Sequence, residues 1–156
     1  MFKFYHAQYN PSTLSGTVGG QISSNLLSGY IGELFAHVEA PPYETSVSSY
    51  QYRKVFIKNE FDSTSTHTRV WIDSLEHEGQ ISLALDPTTG SSAPSPLSEP
   101  SVVSGWQSPE NFSNGLDLGT LPKNTYKSIW IKQSLSGIYT PDPYATFRIY
   151  VGGIVE

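Results

Sequence analysis

The residues best suited to acid–base or metal chemistry are four histidines, and they are spread along the chain. They are His6, His37, His67 and His77, and no pair has the spacing of a metal site. Only Glu76-His77-Glu78 forms a local cluster. Consecutive side chains of an extended segment point to opposite sides, so these three would not converge on one ion. We interpret the tripeptide as a solvent-exposed turn and predict no metal and no other cofactor.

Three aspartates, Asp62, Asp73 and Asp86, follow stretches that have the character of β-strands. A glycosidase would need two carboxylates about 5–9.5 Å apart in a cleft, whereas aspartates at strand ends commonly accept hydrogen bonds from turn amides. The sequence has no Gly-x-Ser-x-Gly motif and no phosphate-binding glycine loop. It also has no cysteine, which excludes cysteine nucleophiles, disulfides and thiolate zinc sites. We therefore predict that the protein is not an enzyme.

The elements that carry these residues are predicted to be short β-strands. Alternating apolar and polar residues mark five runs, 52–59, 66–73, 79–85, 125–133 and 145–151. In the first run Val55 and Ile57 share the apolar face, and Lys54 and Phe56 lie on the face predicted to be wet. The polar residues between the first two runs predict a hairpin.

Shorter candidate strands at 34–39 and 117–119 complete a pattern that is typical of an all-β protein. Residues 25–38 also have helical spacing, which Gly29 and Gly32 oppose. Six or seven short strands predict an antiparallel β-sandwich, immunoglobulin-like or jelly-roll-like, over residues 34–156. Residues 1–33 are predicted to be an extended N-terminal arm. Residues 86–116 contain five prolines and are predicted to be a long Pro-rich loop inserted in the sandwich domain.

Composition limits the possible partners. The chain has 156 residues, enough for one domain, and a net charge of -5 with no basic cluster, so we predict no nucleic-acid partner. No apolar stretch is long enough to span a bilayer, so no membrane partner is predicted either. The first residues lack the pattern of a secretory signal, and we expect synthesis in the cytoplasm.

Aromatic side chains are the candidate contacts with other proteins. The candidates lie in the predicted arm, the predicted loop and the outward faces of strands: Phe2, Phe4, Tyr5, Tyr9, Trp71, Trp106, Phe112 and Trp130. An outward set formed by Trp71, Tyr126, Trp130 and Tyr150 could also stack on sugar rings. Aromatics on the polar face of a strand are more often interface or cross-strand pairs, and we interpret them in that way.

Several segments resemble a group of small virion proteins of tailed bacteriophages. They are YRKVFIKN (52–59), VWI (70–72), LALDP (83–87), LDLGTLP (116–122), SIWIKQSL (128–135) and ATFRIYVGG (145–153), with GGQISS (19–24) near the start. The sequence departs from the group at Lys132-Gln133, where two arginines are usual, and at Lys123-Asn124, where a Pro-Gly turn is common.

The resemblance implies a structural virion protein, made in the bacterial cytoplasm and placed on the particle as a capsid cement or decoration protein. Its partners would be the major capsid protein or tail proteins, together with further copies of itself as a homo-oligomer. Two alternatives stay open: a tail, baseplate or fibre component, and a carbohydrate-binding module for host attachment.

Overall fold

The structure is a computed structural model that describes residues 1–29, 33–35, 50–73, 81–134 and 147–156. These residues form nine β-strands: β1 (Phe2–Tyr9), β2 (Val18–Leu26), β3 (Tyr50–Asn59), β4 (Ser65–Asp73), β5 (Ile81–Leu85), β6 (Ser92–Ala93), β7 (Leu116–Leu121), β8 (Tyr126–Ser134) and β9 (Arg148–Val155). Within the described ranges there is no helix, and hence none that could cross a bilayer.

The strands form two antiparallel sheets. The larger sheet has six strands in the order β5-β8-β3-β1-β2-β6, and the smaller has three in the order β7-β4-β9. Every strand pair in both sheets is antiparallel. The prediction of an all-β, antiparallel protein is therefore confirmed.

The two sheets share one hydrophobic cluster, which we call the first cluster. The larger sheet supplies Val55, Ile57, Ile81, Leu83, Ile129 and Ile131, and the smaller supplies Val70, Ile72, Leu116, Leu118 and Leu121. The predicted inward faces of β3, β4, β5 and β8 are confirmed, because alternate residues of a strand lie on one face and an apolar face must be covered.

The predicted hairpin between β3 and β4 is wrong, because the two strands lie in different sheets. The chain leaves the larger sheet at Asn59, whose side-chain amide donates to the carbonyls of Ser63 (2.9 Å) and Leu121 (2.8 Å). Val55 and Val70 thus belong to opposite walls of the first cluster. Two strands with the same alternation can lie side by side or face each other, and the sequence pattern is identical in both cases.

The predicted N-terminal arm is also wrong, since its two strands, β1 and β2, belong to the larger sheet. Strand β1 lies between β3 and β2, with Phe4 opposite Ile57. Phe2 and Phe4 are partly buried against the first cluster, so these two predicted partner contacts pack inside their own chain. The domain boundary predicted between residues 33 and 34 therefore divides one sheet. Most of the candidate strand 34–39 lies outside the described residues, and Asn25 and Leu26 of the candidate helix belong to β2.

The first part of segment 86–115 lies against the outer face of the larger sheet. The segment then passes the edge of β5 at Gln107 and reaches β4, where the Ile72 amide donates to the Pro109 carbonyl (2.8 Å). The short strand β6 pairs with β2, and the Tyr52 amide donates to the carbonyl of Pro96 (2.7 Å). Beneath this segment is a second cluster formed by Val18, Tyr52, Ala84, Ala93, Val103 and Trp130. The face predicted to be wet is therefore covered in part: Lys54 is buried against Thr89 and Ser91 of this segment, and Phe56 is also buried. The predicted partner contact at Trp130 is wrong, because the side chain is completely buried.

Gly19 allows β2 to approach this second cluster. Its φ is +96°, and a Cβ there would lie 2.7 Å from both the Ser91 carbonyl oxygen and the Trp130 ring. Gly16 has a similar φ of +91° but open space around it. A substitution at Gly16 therefore measures the cost of placing a side chain at this φ, without any steric clash.

We expect Gly19→Ala to lower the free energy of unfolding by about 3 kcal/mol, because left-handed strain and overpacking add. Gly16→Ala should lower it by only about 1 kcal/mol, the strain alone. Urea unfolding followed by tryptophan fluorescence measures both values. Equal losses in the two variants would contradict the close approach of Gly19 to Trp130.

Candidate functional site

A group of partly exposed aromatic side chains lies on the outer face of the smaller sheet. The Trp71 and Tyr150 rings are stacked, with centroids 5.7 Å apart and planes 16° apart. The Phe112 ring meets Trp71 edge-on at 5.8 Å, and the Arg69 guanidinium lies over Phe112 at 5.6 Å. We call these four residues the outer aromatic patch.

The strand pattern explains why these side chains face outward. Val70 and Ile72 point into the first cluster, so the alternate residues Arg69 and Trp71 of β4 point away from it. Strand β9 pairs with β4 so that Tyr150 lies directly opposite Trp71. Such cross-strand aromatic pairs stabilise a sheet by a few tenths to about 1 kcal/mol.

Two local features hold the rest of the patch. The Arg69 guanidinium donates to the carbonyls of Ser113 (2.6 Å) and Phe112 (3.3 Å), and so fixes the segment that carries the Phe112 ring. A Cβ on Gly152 would lie 3.2 Å from the Trp71 ring, so the glycine lets the indole lie flat on β9. The rings are thus positioned before any partner binds, while Phe112 stays 41% and Tyr150 37% exposed.

The other predicted contacts lie elsewhere. Trp106 packs on the second cluster, where its ring is 5.7 Å from Tyr52 and its Nε1 donates to Glu99 (2.8 Å). Tyr9 is exposed at the end of β1. Of the eight predicted residues, the structure places Trp71 and Phe112 together in the outer aromatic patch, where Tyr150 and Arg69 join them. Contact of Trp71, Trp106, Phe112 and Tyr9 with partners stays a prediction.

Tyr5 lines a shallow hollow of about 430 Å³ on the outer face of the larger sheet, with Lys58, Tyr126 and Asn124 among its neighbours. The Tyr5 hydroxyl donates to Glu60, which also forms an ion pair with Lys3 at 2.7 Å. Two hydrogen bonds, the stronger effect coming from Lys3 and the next from Tyr5, lower the pKa of Glu60 to about 2. Tyr126, one of the four residues considered for sugar stacking, belongs to the larger sheet, whereas Trp71 and Tyr150 belong to the smaller sheet.

A buried ion pair that the sequence did not reveal ties several segments together. Lys54 Nζ lies 2.5 Å from Asp86 Oδ2, and both side chains are completely buried. Nζ also donates to the carbonyls of Gly20 (2.9 Å), Thr89 (2.8 Å) and Ser91 (3.0 Å). One ammonium group thus joins β3 to β2 and to the segment that follows β5.

Asp86 has its own donors. Its carboxylate accepts hydrogen bonds from the Ser128 hydroxyl (3.0 Å) and the Thr88 amide (3.1 Å). Burial alone would raise the pKa of Asp86, but the bonds from Lys54 and Thr88 outweigh it and hold that pKa below its usual 3.8. The predicted role of Asp86 as an acceptor for turn amides is confirmed. The Asp86 carboxylate and the three carbonyls offer four acceptors to the three N–H groups of Lys54, so the ammonium has no donor left for another partner.

A second polar cluster includes His6 and Glu33. His6 Nε2 lies 2.9 Å from Glu33 Oε1, and the Asn10 side-chain amide lies 2.8 Å from His6 Nδ1. Burial would raise the pKa of Glu33, yet hydrogen bonds from the amides of Ser28 and Gly29 and from His6 lower it to about 2. In the parts of the chain that the structure describes, no three His, Cys, Asp or Glu residues are grouped to hold a metal ion. Glu76-His77-Glu78 lies outside those parts.

We expect Lys54→Met and Asp86→Asn each to lower the free energy of unfolding by about 3–5 kcal/mol, because each leaves a buried polar partner unsatisfied. The loss in the double variant should be clearly smaller than the sum of the two single losses, since the unpaired charge disappears. Urea unfolding of the four proteins gives the coupling energy. Strict additivity would show that the two groups do not interact.

Stability should fall as the pH falls from about 4.5 to about 2. The pKa of Glu33 and Glu60 is near 2 in the folded protein and about 4.5 for an ordinary glutamate, so protons bind the unfolded chain first. The stabilisation is complete above pH 4.5 and lost on passing through the folded pKa. Urea unfolding across this range should show a shallower pH slope in Glu33→Gln than in the exposed control Glu110→Gln.

Comparison with known proteins gives no relative: no family model, curated protein or solved structure matches this chain.

Proposed function

We propose that the protein is a structural component of a tailed-bacteriophage particle, and specifically a capsid cement protein that binds neighbouring capsid subunits. We also propose that its two sheets form a β-sandwich around the first cluster. The observation that carries the functional proposal is the outer aromatic patch, in which Phe112 and Tyr150 are exposed and Trp71 and Arg69 partly exposed, and whose side chains are held by contacts with one another. The sequence resemblance to small virion proteins supports placing this binding function on a phage particle.

The composition of the patch supports protein binding. Tyr, Trp and Arg are the residues most enriched among those that dominate the energy of protein interfaces. Trp71 and Tyr150 are already held against each other, so a partner would immobilise few new side-chain torsions. A rigid exposed patch can therefore convert buried apolar area into affinity efficiently.

The setting of the patch suits a repeated lattice contact. The inner side chains of β4, such as Val70 and Ile72, pack in the first cluster, so Trp71 and Tyr150 stand on a sheet that is packed against the rest of the domain. On a symmetric shell, many copies of a modest contact act together, and their avidity exceeds the affinity of one copy. A cement protein needs this combination of a stiff body and a defined contact face.

A carbohydrate-binding module is the second candidate, and one observation favours it. The Trp71 and Tyr150 rings are nearly parallel, at 16°, so together they present a platform on which a sugar ring could stack. Such a module would bind host glycans as an isolated protein. A cement protein would instead bind the assembled shell.

Copy number in purified particles tests the proposed location. We expect quantitative mass spectrometry to find the protein at a copy number comparable to that of the major capsid protein, because a cement protein occupies repeated sites. Particles that lack it should rupture at a lower temperature than complete particles. A few copies per particle would instead assign it to the tail, and absence from particles would contradict the proposal.

Matched tyrosine variants test the contact face. Tyr150 and Tyr126 are both 37% exposed but lie on different sheets. We expect Tyr150→Ala to weaken binding to particles that lack the protein by about tenfold to thirtyfold, as a central aromatic contact does. Tyr126→Ala should change the affinity by less than about twofold. Equal effects of the two tyrosine variants would contradict cement binding through this patch. So would a finding that the isolated protein binds glycans and that Trp71→Ala abolishes this binding.

A further inference from the structure

We propose that the edge of β9, which no described strand occupies, pairs with β9 of a second copy of this chain in antiparallel register around Gly152, so that two smaller sheets join into one six-stranded sheet. The inference concerns the association of the chain with itself in solution. It is independent of the proposed function, since it needs no particle and no capsid protein.

The described sheets have four edges, and three of them are poorly suited to pairing. The edge of β5 is occupied, because Leu83 and Gln107 exchange backbone hydrogen bonds of 2.6 and 2.9 Å. Strand β6 has only two residues. Strand β7 pairs irregularly with β4 and contains Gly119 at a φ of +71°, which interrupts a regular edge.

The edge of β9 is long and regular by comparison. It has eight residues. Its pairing with β4 is irregular at one place, and the extra residue lies in β4: between the pairs Thr66–Ile154 and Arg69–Gly152, β4 has two residues and β9 has one. One of the two, His67, has a φ of +51°. It contains no proline and no lysine, the residues with which natural proteins commonly block an edge. Two of its apolar side chains are well exposed, Ile154 at 54% and Val155 at 39%.

The backbone geometry fixes which groups face the free side. The Glu156 amide donates to the Thr64 carbonyl, on the β4 side. Because backbone groups alternate along a strand, the amides and carbonyls of 149, 151, 153 and 155 point away from β4. An antiparallel partner centred on Gly152 places Ile149 opposite Val155 and Val151 opposite Gly153, so that the outward groups of both copies meet each other.

Side-chain complementarity selects the second copy as the partner in this register. Arg148 of one copy lies opposite Glu156 of the other, twice per pair, and both residues are exposed in the single chain. On the outer face, Tyr150 lies opposite Ile154 of the other copy, an aromatic–β-branched pair. The row of apolar side chains that begins with Trp71 and Tyr150 would thereby continue into the second molecule.

Sedimentation equilibrium from about 10 μM to 1 mM tests the pairing, since a contact of this limited size is expected to be weak. We expect a reversible dimer. Ile154→Lys should raise its Kd by at least about tenfold, because two ammonium groups are placed in the apolar row. The matched control Leu97→Lys, at a site 49% exposed outside β9, should change the Kd by less than about twofold. Thermal unfolding of each variant checks that the monomer is intact.

Charge exchange tests the register. Glu156→Arg should raise the Kd about threefold to tenfold, because each Arg148 would then face an arginine of the other copy. The double variant Glu156→Arg, Arg148→Glu restores opposite charges and should return the Kd to within about twofold of the original value. Hydrogen exchange should show protection of the Val151 and Gly153 amides that increases with protein concentration, without a matching change in Leu116–Leu121. A monomer throughout the range, a dimer insensitive to Ile154→Lys, or a charge exchange that does not restore the affinity would overturn the proposal.

Discussion

The buried Lys54–Asp86 ion pair is the interaction on which the rest of this structure depends. Lys54 is in the middle of β3, the strand that β1 and β8 both flank, and its ammonium group reaches β2 and the segment after β5 through backbone carbonyls. The Asp86 carboxylate accepts hydrogen bonds from the Thr88 amide in the adjacent turn and from the Ser128 hydroxyl of β8. Removal of either charge would leave the other unpaired in a buried site, so this contact stabilises the covering segment in its observed position.

This cover decides which surface of the protein is available. The first part of segment 86–115 covers the outer face of the larger sheet above Trp130, and its last part reaches β4, where Phe112 meets Trp71. Both sheets contribute side chains to the first cluster. The smaller sheet keeps an exposed outer face with Trp71, Tyr150 and Phe112. The same fixed covering segment that buries one tryptophan thus leaves another as the candidate contact, although both were predicted to face a partner.

Alternation in the sequence was sufficient to predict the inward residues, such as Val55, Ile57 and Val70, because any two-layer packing demands an apolar face on each strand. It was not sufficient to predict which strands are neighbours, since alternation carries no information on pairing. This explains both the wrong hairpin and the wrong arm. Lys54 was missed because a charged residue normally marks a wet face, and its partner Asp86 is about 30 residues away in sequence. Arg69 and Tyr150 were identifiable as outward residues, but only the register of β9 on β4 shows that Tyr150 meets Trp71.

The position of β3 in the larger sheet has a consequence for how the chain acquires its structure. Its two neighbours come from opposite parts of the sequence, β1 from residues 2–9 and β8 from residues 126–134, and the pairing of Arg53 with Ile131 closes a loop of about 80 residues. Such long closures raise the entropic barrier and slow the search for the native topology. During synthesis, one edge of β3 keeps unpaired backbone groups until β8 has also been made. Completion of the larger sheet must therefore wait for β8, and until then that edge of β3 is open to pairing with another chain.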